Sequence, residues 1–214
     1  MLAREGLTRV KMITMISTIA FDYAGVLEIA ERNIVDEITE YMNITLEKWN
    51  PVYHSLNYLC NVEGKTWGEV AILTVEKLGA SQQQVVEIQE IMCLNALSKK
   101  VNGGLVEVIK KLKPNYKIAL ISNYPPHLRE KLNNQDLTKL FDEIIISSEV
   151  GYQKPQPEIF MLLCERLNIL PQELVFIDDS KKSLEGAGDI GYTPILYRSN
   201  EQLEQDLKEL HIIH

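Results

Sequence analysis

The sequence predicts an α/β protein: a doubly wound parallel sheet of five strands, with a helical cap inserted after the first. Five short β-prone runs alternate with helical patterns, as expected for buried parallel strands covered on both faces. More than ninety residues separate the first run from the second, far more than a crossover helix needs. The first four runs each lead into distinctive polar residues, which such a fold would gather at one sheet edge, where ligands sit.

The first strand is expected over 18–23, an apolar run that delivers Asp22 and is followed at once by Ala24 and Gly25. Residues 31–98 read as roughly four helices, broken at Gly64 and at Gly79-Ala80-Ser81. This divides the chain into a core of 1–30 with 99–214 and a helical cap of 31–98. Leu105, Val108, Ile109 and Leu112 form one apolar helix stripe, stopped by Pro114 and Asn115. The second strand is expected over 117–122 and the third over 143–147. A stripe of Ile159, Leu162, Leu163 and Leu167 follows, ended near Pro171. The fourth strand is expected over 174–178 and the fifth over 193–197. Asn200 is the expected N-cap of a last helix carrying Leu203, Leu207 and Leu210.

Composition narrows the function. Of 214 residues, 45% are hydrophobic and 24% charged, ordinary for a water-soluble globular chain. A net charge of −8 argues against a nucleic-acid partner but leaves room for a small phosphorylated substrate held by a local cationic pocket. No run reaches the length of a membrane span. Arg4, Arg9 and Lys11 precede an apolar stretch that Thr and Ser interrupt and Asp22 ends, so no signal peptide is expected; Met12 or Met15 could be the start of translation. Cys60, Cys93 and Cys164 are odd in number and lack metal-ligand spacing, which suits reduced thiols in the cytoplasm.

The strand-end residues carry the chemistry. Asp22 ends the first strand, Ser122-Asn123 the second and Asp178-Asp179 the fourth, while Lys154-Pro155 lies beyond the third. Each has a plain structural explanation: a turn cap at Asp22, a turn start at Ser122, a solvated loop lysine, an N-cap pair. Together, in this order and at these strand ends, they describe a site. Carboxylates that converge need a cation, and oxygen-only ligands suit Mg²⁺. An Asp beside that metal can attack phosphorus, while a lysine and a hydroxyl hold the transferring phosphoryl oxygens.

The order of motifs resembles the haloacid dehalogenase-like (HAD) superfamily over essentially the whole chain after Ser17: Phe21-Asp22-Tyr23-Ala24-Gly25-Val26-Leu27, then Ser122-Asn123, Lys154-Pro155 and Asp178-Asp179. The resemblance implies a Rossmann-like core and a small helical cap. It implies a Mg²⁺-dependent phosphatase of a small phosphorylated metabolite in which Asp22 forms an aspartyl-phosphate. Ser122, Asn123 and Lys154 would bind phosphate. Asp22, the carbonyl of Ala24, Asp178 and Asp179 would serve the metal, Asp179 more directly than Asp178.

One position departs from the pattern. Most phosphatases of the superfamily carry a second Asp two residues after the nucleophile, for acid-base work; here that position is Ala24. Three readings remain. The phosphatase tolerates the loss, Glu28 being near in sequence. The chain is a phosphonate C–C hydrolase, whose family has Ala here and a cap lysine forming a Schiff base, with Lys48 and Lys65 as candidates. Or the site binds without catalysis. A dehalogenase ranks below these, since the Asp178-Asp179 pair does not suit a metal-free site. Trp49, Tyr53, Tyr58 and Trp67 concentrate aromatics in the cap, as bundle core before substrate pocket. Ser183 stands where the family often has Asn.

Overall fold

A computed structural model describes residues 15–213. Arg4, Arg9, Lys11 and Met12 lie outside the described residues. Strands β1 (Thr18–Phe21), β4 (Lys117–Ser122), β5 (Glu143–Ile146), β6 (Leu174–Asp178) and β7 (Thr193–Leu196) form one sheet in the order β5-β4-β1-β6-β7. Every pairing is parallel. β2 (Glu28–Ile29) and β3 (Lys100–Val101) make a separate antiparallel ribbon, which ties together the two chain crossings between the sheet and the helices above it.

The period of two in the strands decides which side chain meets which layer. Ile19 and Phe21 of β1, Ile118 and Leu120 of β4, and Val175 and Ile177 of β6 point to one face. There they meet α6 (Gly103–Leu112), α7 (Leu128–Asn134) and α11 (Asn200–Glu209) through Leu105, Ile109, Leu128, Leu132, Leu203 and Leu207. The residues in between, Ala20, Ala119, Ile121 and Phe176, face the other side. That side packs on α9 (Pro157–Leu167) through Ile159, Phe160 and Leu163, with the one-turn helices α8 (Ser147–Val150) and α10 (Ala187–Ile190) beside it. Strands buried on both faces are what the continuous apolar runs encode.

Between β2 and β3 lie α1 (Ile34–Met42), α2 (Leu46–Leu56), α3 (Tyr58–Asn61), α4 (Trp67–Lys77) and α5 (Gln82–Ser98). They close around their own core of Ile38, Trp49, Ala71, Val75 and Ile88. Five helices stand where four were expected, because the chain breaks at Asn57 and α3 adds a single turn. Capping boxes at Thr66/Glu69 and Ser81/Gln84 start α4 and α5. The last helix departs from expectation by one residue: Ser199, not Asn200, is its N-cap, with Ser199 Oγ accepting from the Gln202 amide. Asn200 instead turns its side chain onto Asn102 and the Tyr197 hydroxyl. Among the described residues no helix is long and apolar enough to cross a membrane.

Candidate active site

Register brings the strand-end residues together. Phe21 pairs with both Leu120 and Ile177, so Asp22 emerges between the ends of β4 and β6, and its amide donates to Ile177 O at 2.9 Å. β1 is also where the order of connections reverses, outward through β4 to β5 and then back through β6 to β7. The crevice at such a point is where open α/β sheets bind ligands.

Asp22 is buried, and its Oδ1 accepts from the Tyr23 amide at 2.7 Å. Lys154 reaches in from the segment between α8 and α9, its side chain only 1% exposed. Its Nζ lies 2.9 Å from Asp22 Oδ1 and 2.6 Å from Asp178 Oδ2. The other oxygen of Asp178 accepts from the Ser180 amide at 2.8 Å. Both oxygens of Asp178 are thereby engaged by the chain, whereas Asp179 turns towards solvent. One oxygen from each of Asp22, Asp178 and Asp179 falls within a mutual 4.8 Å. Three hard oxygen donors converging at a sheet edge fit a Mg²⁺ ion.

The electrostatics follow. Burial, opposed by Lys154 and reinforced by Asp178, raises the Asp22 carboxyl to about 6. Asp179, although it reaches solvent on one side, is raised to about 7 by desolvation at the strand ends and then by Asp22 and Asp178. Burial works against the Lys154 ammonium, but Asp178 and then Asp22 outweigh it and hold the lysine above its ordinary range. The carboxylates therefore lack cationic charge, and a divalent ion would supply it.

Ser122 ends β4 beside Asp22; its Oγ is buried and makes no well-formed hydrogen bond among the described residues, although it stands close enough to the Asp22 carboxyl to favour the ionised form. Such a group needs an explanation, and a ligand oxygen at this position provides one. Asn123 does something the sequence did not foretell. Its side chain accepts from the Lys154 amide at 2.8 Å and donates to the Lys154 carbonyl at 3.0 Å, clamping the lysine's backbone to the end of β4. Ser183 lies nearby in sequence to Asp179, but its side chain makes no hydrogen bond to Lys154 among the described residues; its amide closes a turn on Ser180.

The turn after Asp22 is fixed by glycine. Gly25 has φ +83°, and a Cβ there would stand 2.2 Å from Asp179 Oδ2. Gly25→Ala therefore incurs left-handed strain and displaces Asp179. Its expected cost is about 1–2 kcal/mol from the backbone alone, read by chemical denaturation; an unchanged midpoint would refute the left-handed strain at Gly25.

A cavity of about 440 Å³ opens beside Ala24 and Asn123 and runs up between the sheet edge and the helices above. Tyr53, Trp67, Met92 and Tyr124 give it apolar walls. Of the four aromatics singled out in the sequence, Trp49 is core, Tyr58 is half exposed, and Tyr53 and Trp67 reach the cavity. Lys48 and Lys65 are exposed and do not line it. The lysine that does is Lys99, where α5 re-enters the core, a residue sequence reasoning passed over. Glu28 is buried, bonded to the Tyr23 hydroxyl and paired with Lys131 at 2.6 Å, so it is committed to its own network.

A buried carboxylate, a lysine shared between two aspartates and an acidic triad meet at a parallel-sheet switch point, an arrangement suited to a divalent cation and an anionic ligand. A family model for haloacid dehalogenase-like hydrolases matches residues 16–191, and the chain belongs to that family. It is 37% identical over 94 residues to a phosphorylated carbohydrates phosphatase of Thermotoga maritima, an alignment covering 43% of this chain and 44% of that protein. The chain spans less than half the length of the curated relatives it matches. Among solved structures, a HAD-like family hydrolase from Porphyromonas gingivalis superposes with a TM-score of 0.63 at 21% identity, covering 94% of this chain and 100% of the other. A HAD family enzyme from Bacteroides thetaiotaomicron, solved with magnesium and inorganic phosphate, gives 0.55 at 22% identity, over 86% and 94% of the two chains. At these identities the structural likeness establishes the fold.

Proposed function

We propose that this HAD-like hydrolase is a Mg²⁺-dependent phosphatase of a small phosphorylated metabolite, working through an aspartyl-phosphate on Asp22. The observation that carries this reading is the convergence of Asp22, Asp178 and Asp179 oxygens within 4.8 Å, with Lys154 bridging two of the three. Asp22, the Ala24 carbonyl, Asp178 and Asp179 are the residues proposed to hold the metal. Asp179 has the freer carboxylate, and Asp178 serves chiefly to fix Lys154. Bound Mg²⁺ supplies the positive charge that lets a dianionic phosphoryl group approach a carboxylate.

The chain's own residues do the rest. An Asp22 oxygen attacks phosphorus, forming the Asp22–phosphorus bond as the bond to the leaving oxygen breaks. Ser122 and Lys154 hold the phosphoryl oxygens, and Asn123 keeps Lys154 in place. Water then attacks the aspartyl-phosphate, releasing inorganic phosphate and restoring the Asp22 carboxylate. Residues 31–98 act as the cap, receiving the leaving group in the cavity beside Ala24. The cap-lysine chemistry of a phosphonate hydrolase finds no support at Lys48 or Lys65, which stand outside that cavity. Three free thiols suit a cytoplasmic setting.

Ala24 offers no proton to the leaving oxygen, so the site favours leaving groups that depart unprotonated. The test is hydrolysis of p-nitrophenyl phosphate with Mg²⁺ and with a chelator. Metal-dependent turnover supports the reading; equal rates with and without the chelator, or none in either, overturn it. Ala24 is exposed to the cavity and has room for a carboxylate. Ala24→Asp is expected to raise turnover of simple alkyl phosphates by about 10²–10⁴-fold while changing p-nitrophenyl phosphate hydrolysis little. A gain on neither substrate would mean that acid-base help comes from elsewhere.

A further inference from the structure

The cavity beside Ala24 has an unbalanced charge. Among the described residues its lining holds no Asp or Glu, and Lys99 is its one lysine or arginine. Asn61, Thr66, Asn95, Asn123 and His127 are its other polar contributors; Tyr53, Trp67, Met92, Tyr124 and Pro125 make much of the remaining wall. Partial burial holds the Lys99 ammonium below its ordinary range, outweighing Glu28, which favours the charged form, while Lys131 opposes that form. Glu28 belongs to Lys131, whose Nζ lies 2.6 Å from Oε1, and to the Tyr23 hydroxyl at 3.0 Å on the same oxygen. Lys99 Nζ stands 4.0 Å from Oε2, at the limit of an ion pair. Two lysines thus share one carboxylate, and one positive charge is left over, on a side chain 36% exposed at the cavity wall. A second cleft on the far side of Ala24 shares Ala24, Asn95 and Lys99 with the cavity, and its own charged residues are Glu28, Arg32 and Asp179.

We propose that Lys99 is the specificity-determining residue for the leaving group, and that the substrate is a phosphate monoester whose alcohol carries a carboxylate on an apolar body. The proposal rests on the phosphatase reading for which end of the substrate meets Asp22. Once phosphorus is at Asp22, the remainder of the molecule passes Ala24 and Asn123 into the cavity. There the apolar walls take its body, and the surplus charge of Lys99 takes an anion. One ammonium balances a single negative charge, which favours a carboxylate over a second, dianionic phosphate. Lys99 is thus a recognition group, distinct from the triad that holds phosphate.

The test compares two esters of similar size and phenol acidity, 4-(carboxymethyl)phenyl phosphate and 4-ethylphenyl phosphate. Their dissociation constants are measured by calorimetry with Mg²⁺ on Asp22→Asn, which on the phosphatase reading leaves them intact, with release of phosphate monitored as a control. The carboxylate ester is expected to bind about 10- to 100-fold more tightly, the range of one charge-assisted contact. Adding Lys99→Met should bring the ratio to within about threefold of unity, and Lys99→Arg should keep most of it. Equal affinities with Lys99 present, a ratio that survives Lys99→Met, or no binding of either ester would each overturn the proposal. Wild-type turnover of the same pair is measured alongside. A binding ratio that depends on Lys99 without any turnover would sink the phosphatase reading and leave the recognition site standing.

Discussion

Asp22→Asn is expected to abolish phosphate-ester turnover, by about 10⁴- to 10⁶-fold as for loss of other enzymatic nucleophiles, while making the metal-free protein more stable at neutral pH. The two effects share one cause. Asp22 is buried at the junction of β1, β4 and β6, where Asp178 adds a second negative charge and Lys154 cannot balance both. Its carboxyl is raised from 3.8 to about 6, which corresponds to roughly 3 kcal/mol against the ionised form. The native state holds this proton more tightly than the unfolded chain does. Stability therefore falls as pH rises from 3.8 through 6, and the ionised group is a liability above that range. An amide, neutral at every pH, escapes it. The melting temperature of Asp22→Asn should exceed that of wild type by several degrees at neutral pH, and the gap should close on acidification towards 3.8. Residual turnover within tenfold of wild type would remove Asp22 as nucleophile. A melting temperature below wild type at neutral pH would show that the contacts of the carboxylate outweigh its burial.

Much of the core could be seen in the sequence because the strands are buried on both faces. Ile19-Ala20-Phe21 and Ile118-Ala119-Leu120-Ile121 leave no polar alternative to a central parallel strand, and the residues after them then converge by register. What escaped depended on contacts distant in sequence. Ser199 and Asn200 are both good N-caps. Asn200 lost the position because Asn102, 98 residues away, and Tyr197 took its side chain. The adjacent Asp178 and Asp179 are chemically identical in sequence. Their different situations come from the Ser180 amide and Lys154, which claim both oxygens of Asp178. Asn123 belongs with a phosphate-binding pair by motif, yet its amide is spent on the Lys154 backbone. Among the lysines, Lys48 and Lys65 were singled out because they lie within the expected cap. Only the path of α5 back to the sheet puts Lys99 against the cavity instead.

Replacing Lys154 with Met should be the most destabilising single change at the sheet edge, with turnover lost alongside. The methionine keeps the length and apolar stem of the side chain, which packs with Nζ 5.3 Å from the Phe176 ring centroid, so packing is largely conserved. The charge is not. Lys154 is 5% exposed and bridges Asp22 and Asp178, and without it two buried carboxylates face each other with no cation from the chain. Removing one partner of such a buried group costs about 3–5 kcal/mol, several times what a surface ion pair contributes. The loss has a pH signature. Protonating the raised carboxyls relieves the repulsion. Because burial raises Asp22 while Lys154 itself holds it down to about 6 in wild type, the gap between Lys154→Met and wild type should begin to narrow above that value and go on narrowing as pH falls through it. Mg²⁺ should stabilise Lys154→Met more than wild type, because it meets a more negative site. Denaturation midpoints across that range, with Mg²⁺ and with a chelator, read both effects. A variant as stable as wild type at neutral pH would mean that solvent already screens Asp22 from Asp178, and the account of the site as a cation-deficient acidic cluster would fall with it.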